Sequence, residues 1–252
     1  MKIVLSPAKS LDYTSPIPTK EYTIPLFLKE AKVLDEVLKA KSPQELAKLM
    51  HISEKLAELN WKRFQEWSLP FTPENARQAI FAFNGAVYDG LDAYSLTEEQ
   101  IQNLQNKLRI LSGMYGFLRP LDLMQPYRLE MGTKLKFKSY KNLYEFWKDK
   151  VTNTLNSELS KNEPFINLAS NEYFKVIDKK KLKTKIITPV FKDFKNGELK
   201  IIAIYAKKAR GMMVRYIIEN NIENVTDLKG FNMANYAFDS KLSTETELVF
   251  TR

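Results

Sequence analysis

The chain has no cysteine and a single histidine, His51, in 252 residues. The lack of thiols excludes a disulfide scaffold, a thiol peroxidase, an iron–sulfur cluster and a cysteine zinc site. One imidazole is too little for a histidine-based metal or haem centre, and a Ser–His–Asp triad would have to use it. His51 lies in Leu49-Met50-His51-Ile52-Ser53, which reads as a helix end and marks it as a cap rather than a catalyst. No stretch approaches the ~18 apolar residues of a membrane span. The opening Met1-Lys2-Ile3-Val4-Leu5-Ser6-Pro7 lacks the apolar run of a signal peptide. The expectation is a soluble, cytoplasmic protein with no metal, no cofactor and no membrane partner.

Arginine is scarce too, at 8 residues against 31 lysines, and five of the eight fall in two glycine-punctuated segments. One runs from Arg109 through Gly113, Gly116 and Arg119 to Arg128-Leu129-Glu130-Met131-Gly132. The other is Lys207-Lys208-Ala209-Arg210-Gly211-Met212-Met213-Val214-Arg215. A planar guanidinium is needed where phosphate or carboxylate must be gripped in fixed geometry, whereas lysine suffices for solubility. The functional surface is therefore expected where the two segments meet. Structural pairing with buried carboxylates is the competing reading for each arginine.

Formal net charge is +9, and residues 133–200 hold 16 lysines, no arginine and 8 acidic residues. A lysine-rich lobe attracts polyanions, and an ordinary solvated face looks the same in sequence. The hydrophobic content of 44% and the 15 Phe and 12 Tyr suffice for an aromatic-rich core. No repeat, low-complexity segment or Gly/Ser linker divides the chain, so residues 1–252 read as one domain.

Lys2–Leu5 reads as a buried strand. Ser42-Pro43-Gln44-Glu45, Ser53, Thr72-Pro73-Glu74-Asn75 and Thr97-Glu98-Glu99-Gln100 read as helix starts, each with a capping side chain. Another helix covers 26–39. Leu143, Trp147, Val151 and Leu155 mark a helix over about 142–159. Strands are expected at 109–111, at 164–169, at the chain end, and as a hairpin of 185–194 with 199–206 around Asn196-Gly197. A short helix follows Ser170, and another covers 209–220. Helices precede residue 107 and strands follow it, so the fold class is α+β: a single mixed domain with a helix-rich first half, a strand-rich second half and a basic cleft.

Three constellations carry candidate chemistry. Ser112-Gly113-Met114-Tyr115-Gly116 could form a hairpin whose glycines approach a phosphate, or be an ordinary turn. Asp122, Arg128 and Glu130 sit among apolar residues and could line a pocket or tie a corner. Lys207, Lys208, Arg210 and Arg215 surround a strand-to-helix junction, where a helix start would favour phosphate. Ser6-Pro7-Ala8-Lys9 ends the first strand, and Ser170-Asn171-Glu172 ends another, with Ser170 as a cap.

These strings, with Leu11-Asp12, Gln125–Gly132, Leu168–Phe174 and Val249-Phe250-Thr251-Arg252, resemble the YaaA family of bacterial peroxide-stress proteins in order and over the whole chain. The resemblance implies resistance to hydrogen peroxide, low free intracellular iron and less DNA damage. It also implies DNA binding through a mixed fold with a helix-hairpin-helix element and a basic cleft. It implies no particular reaction.

The first functional expectation is a protein that binds double-stranded DNA or other nucleic acid through phosphates, using Lys9, Arg109, Gly113, Gly116, Arg119, Arg128, Lys207, Lys208, Arg210 and Arg215. The alternative is an enzyme acting on a nucleotide or nucleic-acid base, with Glu130, Asp122 or Glu172 as general acid or base. Whether the chain is an enzyme is left open at this stage, with the balance towards a binder. The sequence carries no signal for the oligomeric state.

Overall fold

A computed structural model of the chain describes residues 1–252. In chain order the first strands are β1 (Lys2–Leu5), β2 (Ser10–Leu11), β3 (Arg77–Gln78) and β4 (Phe83–Asn84). Then come β5 (Leu108–Ser112), β6 (Gly116–Leu118), β7 (Leu123–Met124) and β8 (Phe165–Leu168). The last are β9 (Ile186–Lys195), β10 (Glu198–Lys200), β11 (Ala237–Phe238) and β12 (Glu247–Thr251). The first α-helices are α1 (Leu28–Lys39), α2 (Pro43–Met50), α3 (Glu54–Glu66), α4 (Ala79–Ala82) and α5 (Ala86–Leu91). They are followed by α6 (Glu98–Lys107), α7 (Leu143–Glu158), α8 (Asn171–Phe174) and α9 (Ala203–Glu219).

Helix starts follow local side-chain chemistry. Ser42 and Thr97 close full capping boxes with Glu45 and Gln100, and Ser53, Asn142 and Ser170 each accept a backbone N–H of the first turn. His51 ends α2 as a left-handed cap at φ 53°, as its position suggested.

The architecture is α+β around one mixed sheet of order β11-β12-β9-β8-β1-β5-β6, with β10 hairpinned onto β9 through Asn196-Gly197. Both turn residues have positive φ, which this tight hairpin requires. The centre of the sheet, β12·β9·β8·β1·β5, is entirely parallel, and the antiparallel strands are the flanking β6 and β11 and the hairpin strand β10. Every residue of β5 and β8 is buried, as expected of parallel strands covered on both faces. One contiguous apolar core runs from Ile3 to Phe250. Edge-to-face aromatic pairs such as Phe27–Trp147 at 5.5 Å and Phe146–Trp147 at 4.7 Å are built into it.

Two expected elements differ. Residues 72–75 form a turn rather than a helix start, because the chain must enter β3 and pair with distant β7. Residues 203–206 are helical, so α9 begins six residues earlier than expected and the hairpin partner of β9 stops at Lys200. The alternation of Ile201, Ala203 and Tyr205 resembles a strand, but Ile201, Ile204 and Tyr205 are exposed and no strand pairs with them.

Candidate functional site

β1 has β5 on one side and β8 on the other, so the chain leaves β1 in opposite directions across the sheet. In open parallel sheets the crevice beyond the carboxyl ends of such strands is the natural ligand site. A recess of about 430 Å³ opens there. Its floor is the Ser6–Ser10 loop after β1 and Ser170 after β8, and one wall is Asn84 to Tyr88, leading into α5. Ser6 Oγ accepts the Ser170 backbone N–H at 2.9 Å, which locks the two strand ends together. The Tyr88 hydroxyl donates to the Ser6 carbonyl at 3.1 Å. Burial pushes the phenols of Tyr88 and Tyr173 well above their ordinary pKa, so both line the recess as neutral groups.

The opposite wall is α9, with Lys207 and Arg210 on the recess side. Two glycines set how close that wall comes. A Cβ on Gly211 would lie 1.8 Å from the Val87 carbonyl oxygen, and one on Gly90 would lie 2.1 Å from the Lys208 carbonyl oxygen. Close approach at Gly211 is thus to a helix, not to a ligand. Lys207 and Arg210 stand in the second turn of α9, past its free N–H groups, so the expected helix-start phosphate site is not formed.

Lys9, Glu130 and Glu172 complete the recess. Lys9 Nζ lies 2.7 Å from Glu130, whose other oxygen meets Arg128 Nη2 at 3.1 Å. Glu172 accepts the Gly132 N–H at 3.0 Å. Beyond this bar, a second hollow of about 390 Å³ carries Arg128, His51 and Lys134 and shares Lys9, Glu130 and Glu172 with the first. Arg210 differs from these charges: it is half-buried, forms no ion pair or hydrogen bond within the protein, and is drawn below the usual arginine pKa by desolvation.

The structure thus brings Lys9, Arg128, Glu130, Glu172, Lys207 and Arg210 together from both arginine segments. The other expected residues are held elsewhere. Arg109 is buried, ion-paired to Glu158 at 2.7 Å, and donates to the Gln105 carbonyl near the end of α6 and to the Leu108 carbonyl just after it. Arg119 clasps fully buried Asp122 at 2.8 Å, and Asp122 also accepts Thr23 Oγ1 at 2.6 Å, so Asp122 is a structural tie rather than an acid–base group. Arg215 ties the end of α5 by donating to the Leu91 and Asp92 carbonyls, and pairs with Glu219 at 2.8 Å.

Gly113 and Gly116 are buried. The former would clash with the Leu129 carbonyl at 2.2 Å and the latter, at φ 69°, with the Trp147 ring at 2.8 Å. The hairpin between them is filled by Trp147, whose indole N–H donates to the Gly113 carbonyl at 2.9 Å, and offers no surface to a phosphate. Lys208 is exposed and lies outside the recess.

Sequence reasoning missed Asn84, Tyr88 and Tyr173 as lining residues; the Asn84-Gly85 dipeptide before an apolar run was the available signal. Nowhere do three His, Asp or Glu side chains converge as a metal site would require. No helix is long and apolar enough to cross a membrane.

Comparison with known proteins is consistent over the whole length. A UPF0246 protein of Flavobacterium johnsoniae is 62% identical over 252 residues, covering 100% of both chains. One of Flavobacterium psychrophilum is 61% identical over the same span, and one of Neisseria meningitidis serogroup A is 54% identical over 254 aligned positions, covering 98% of that protein. The family model described as peroxide stress protein YaaA matches residues 1–242. This chain belongs to the YaaA family of peroxide stress proteins.

Proposed function

We propose that the protein serves peroxide resistance by binding nucleic acid, with a backbone phosphate seated at Arg210 in the recess beyond β1 and β8. The observation that carries this reading is the unpaired, partly desolvated guanidinium of Arg210. Partial desolvation weakens the hydration of this charge, and an incoming phosphate oxygen supplies an acceptor that the protein does not. Lys207 stands one turn before it on the same wall, and Lys9 faces it from the loop after β1. Arg128 and Lys134 in the adjoining hollow extend the grip in this reading. The lysine excess of residues 133–200 adds long-range attraction. Protection is indirect, since the chain has no thiol with which to reduce peroxide. In this reading the family's link to low free iron and reduced DNA damage follows from the nucleic-acid complex rather than from peroxide chemistry.

The test is fluorescence anisotropy of a labelled duplex at two salt concentrations. Wild-type affinity falls steeply with salt. Arg210→Ala and Lys207→Ala weaken every duplex sequence alike and lower the salt slope by about one each. Lys208→Ala, outside the recess, changes affinity little. If Arg210→Ala binds like wild type, the reading fails.

A second reading is favoured by Glu130 and Glu172 lining the same recess, whose volume of about 430 Å³ suits a nucleotide-sized ligand. Here Arg210 holds the phosphate and one carboxylate moves a proton. Chromatography of nucleotides or DNA after incubation checks it: Glu130→Gln and Glu172→Gln keep binding and lose product. Absence of any product from wild type removes this reading and leaves the first.

A further inference from the structure

We infer that a second recess, sharing no residue with the first, binds a small monoanion: a carboxylate on a flat, largely apolar body. It measures about 400 Å³ and lies between the end of α3, the 73–77 turn and the chain just after β7. Arg63 and Arg77 line it, together with apolar surface from Trp67, Pro73 and Pro126.

The argument is a census of the polar groups in this recess. Asn75 donates to the Pro70 carbonyl and accepts the Thr72 N–H. Gln125 makes a two-bond clasp with the Ser68 backbone. Tyr13 donates to the Met124 carbonyl at 2.7 Å, and the Trp67 indole donates to the Tyr115 hydroxyl. Asn75 and Gln125 each keep one amide N–H free, so the charged donors with spare capacity are the two guanidiniums.

Arg77 is 6% exposed and has no carboxylate within ion-pair distance. Its Nε donates to the Phe81 carbonyl, and its Nη2 donates to the Ser15 carbonyl and the Tyr94 hydroxyl, while Nη1 has no acceptor. Arg63 is half-buried, donates only to Asn60 Oδ1 at 3.2 Å, and has its pKa lowered, chiefly by desolvation. Two arginines in one hollow, neither within ion-pair distance of a carboxylate, make an anion site, since neutral acceptors satisfy geometry but not charge.

The rim sets the class of anion. Glu66 and Glu74 line the same recess and are exposed. Two carboxylates at the mouth repel a polyphosphate or a nucleic-acid backbone and admit a single negative charge. The apolar walls favour a planar body over a bare ion. This site is independent of nucleic-acid binding and stands or falls separately from it.

The probes are sodium benzoate, acetate and inorganic phosphate, added to the full-length protein at ionic strength matched with sodium chloride. Melting temperature and tryptophan emission are recorded, since Trp67 lines the site. Benzoate raises the melting temperature above the salt control, and acetate does so less. Arg77 joins three chain segments, so the test uses Arg63→Gln, which loses a single hydrogen bond. It weakens benzoate binding about tenfold or more, the loss of one charge-assisted contact. The double variant Glu66→Gln/Glu74→Gln, altered only on the exposed rim, binds benzoate more tightly. No benzoate effect beyond the salt control, or an undiminished effect in Arg63→Gln, overturns the site. Phosphate stabilising as strongly as benzoate overturns the ligand class.

Discussion

Gly211 of α9 sits against the backbone of Val87 in α5 so closely that a methyl group there would lie 1.8 Å from the Val87 carbonyl oxygen and 2.7 Å from the Leu91 nitrogen. This contact holds the Arg210 wall at its distance from the recess. An alanine at 211 would gain about 1 kcal/mol of helix propensity. It would also force apart two backbones, for which overpacking costs typically run to about 1–3 kcal/mol or more. The clash is with backbone on both atoms and cannot be relieved by a rotamer change. Gly211→Ala is therefore expected to lower the urea midpoint, despite the better propensity, and to weaken the proposed nucleic-acid binding by displacing Arg210. A midpoint equal to or above wild type would show that the helices separate freely.

The second prediction concerns pH. Asp35 in α1 is buried, its Oδ1 has no hydrogen-bond partner, and burial pushes its carboxyl up to about 7. Lys39 pulls in the opposite direction, and Glu36 adds to the rise. In the unfolded chain the group titrates near its ordinary value of about 3.9. Between about pH 4 and 7 the folded state keeps a proton that the unfolded state has lost. Stability therefore falls as pH rises through that window and levels off above it. Asp35→Asn removes this slope. Urea unfolding at pH 5 and pH 8 should show the variant gaining on wild type at the higher pH. Equal differences at both pH values would mean that Asp35 ionises freely in the fold.

What was legible in the sequence was mostly local. Ser42, Ser53, Thr97 and Asn142 lie within three residues of the N–H groups they cap, so their helices could be read directly. Thr72-Pro73 gives a similar local signal and fails, because the pairing of Arg77 with Met124 is decided 47 positions away. The parallel centre was hidden for the same reason: Ile3 meets Leu108 on one side and Ile166 on the other. The site shows both cases. Asp122 and Glu219 lie only three and four positions from Arg119 and Arg215, so local spacing could have marked them as internal partners, although the sequence reading placed Asp122 and both arginines at the site. Glu158, which neutralises Arg109 from α7, was not. Lys9, Glu130 and Arg210 could be named as residue types but not as neighbours, since their meeting depends on the strand order.

Asp122 gives the third prediction, and it separates structure from chemistry. Its carboxylate accepts the Arg119 backbone N–H at 2.7 Å, the Arg119 side chain at 2.8 and 3.0 Å and Thr23 Oγ1 at 2.6 Å, and the residue is 0% exposed. Removing it leaves the Arg119 charge and several donors without acceptors. Breaking such a buried pair from one side costs about 3 kcal/mol or more. Asp122→Ala should therefore unfold at much lower urea than wild type, while any folded fraction keeps the proposed duplex binding at wild-type affinity, because the recess is lined by other residues. A general acid or base would behave in the opposite way, since its loss leaves stability nearly intact and abolishes the activity. A fully stable Asp122→Ala protein that had lost its function would return Asp122 to the site.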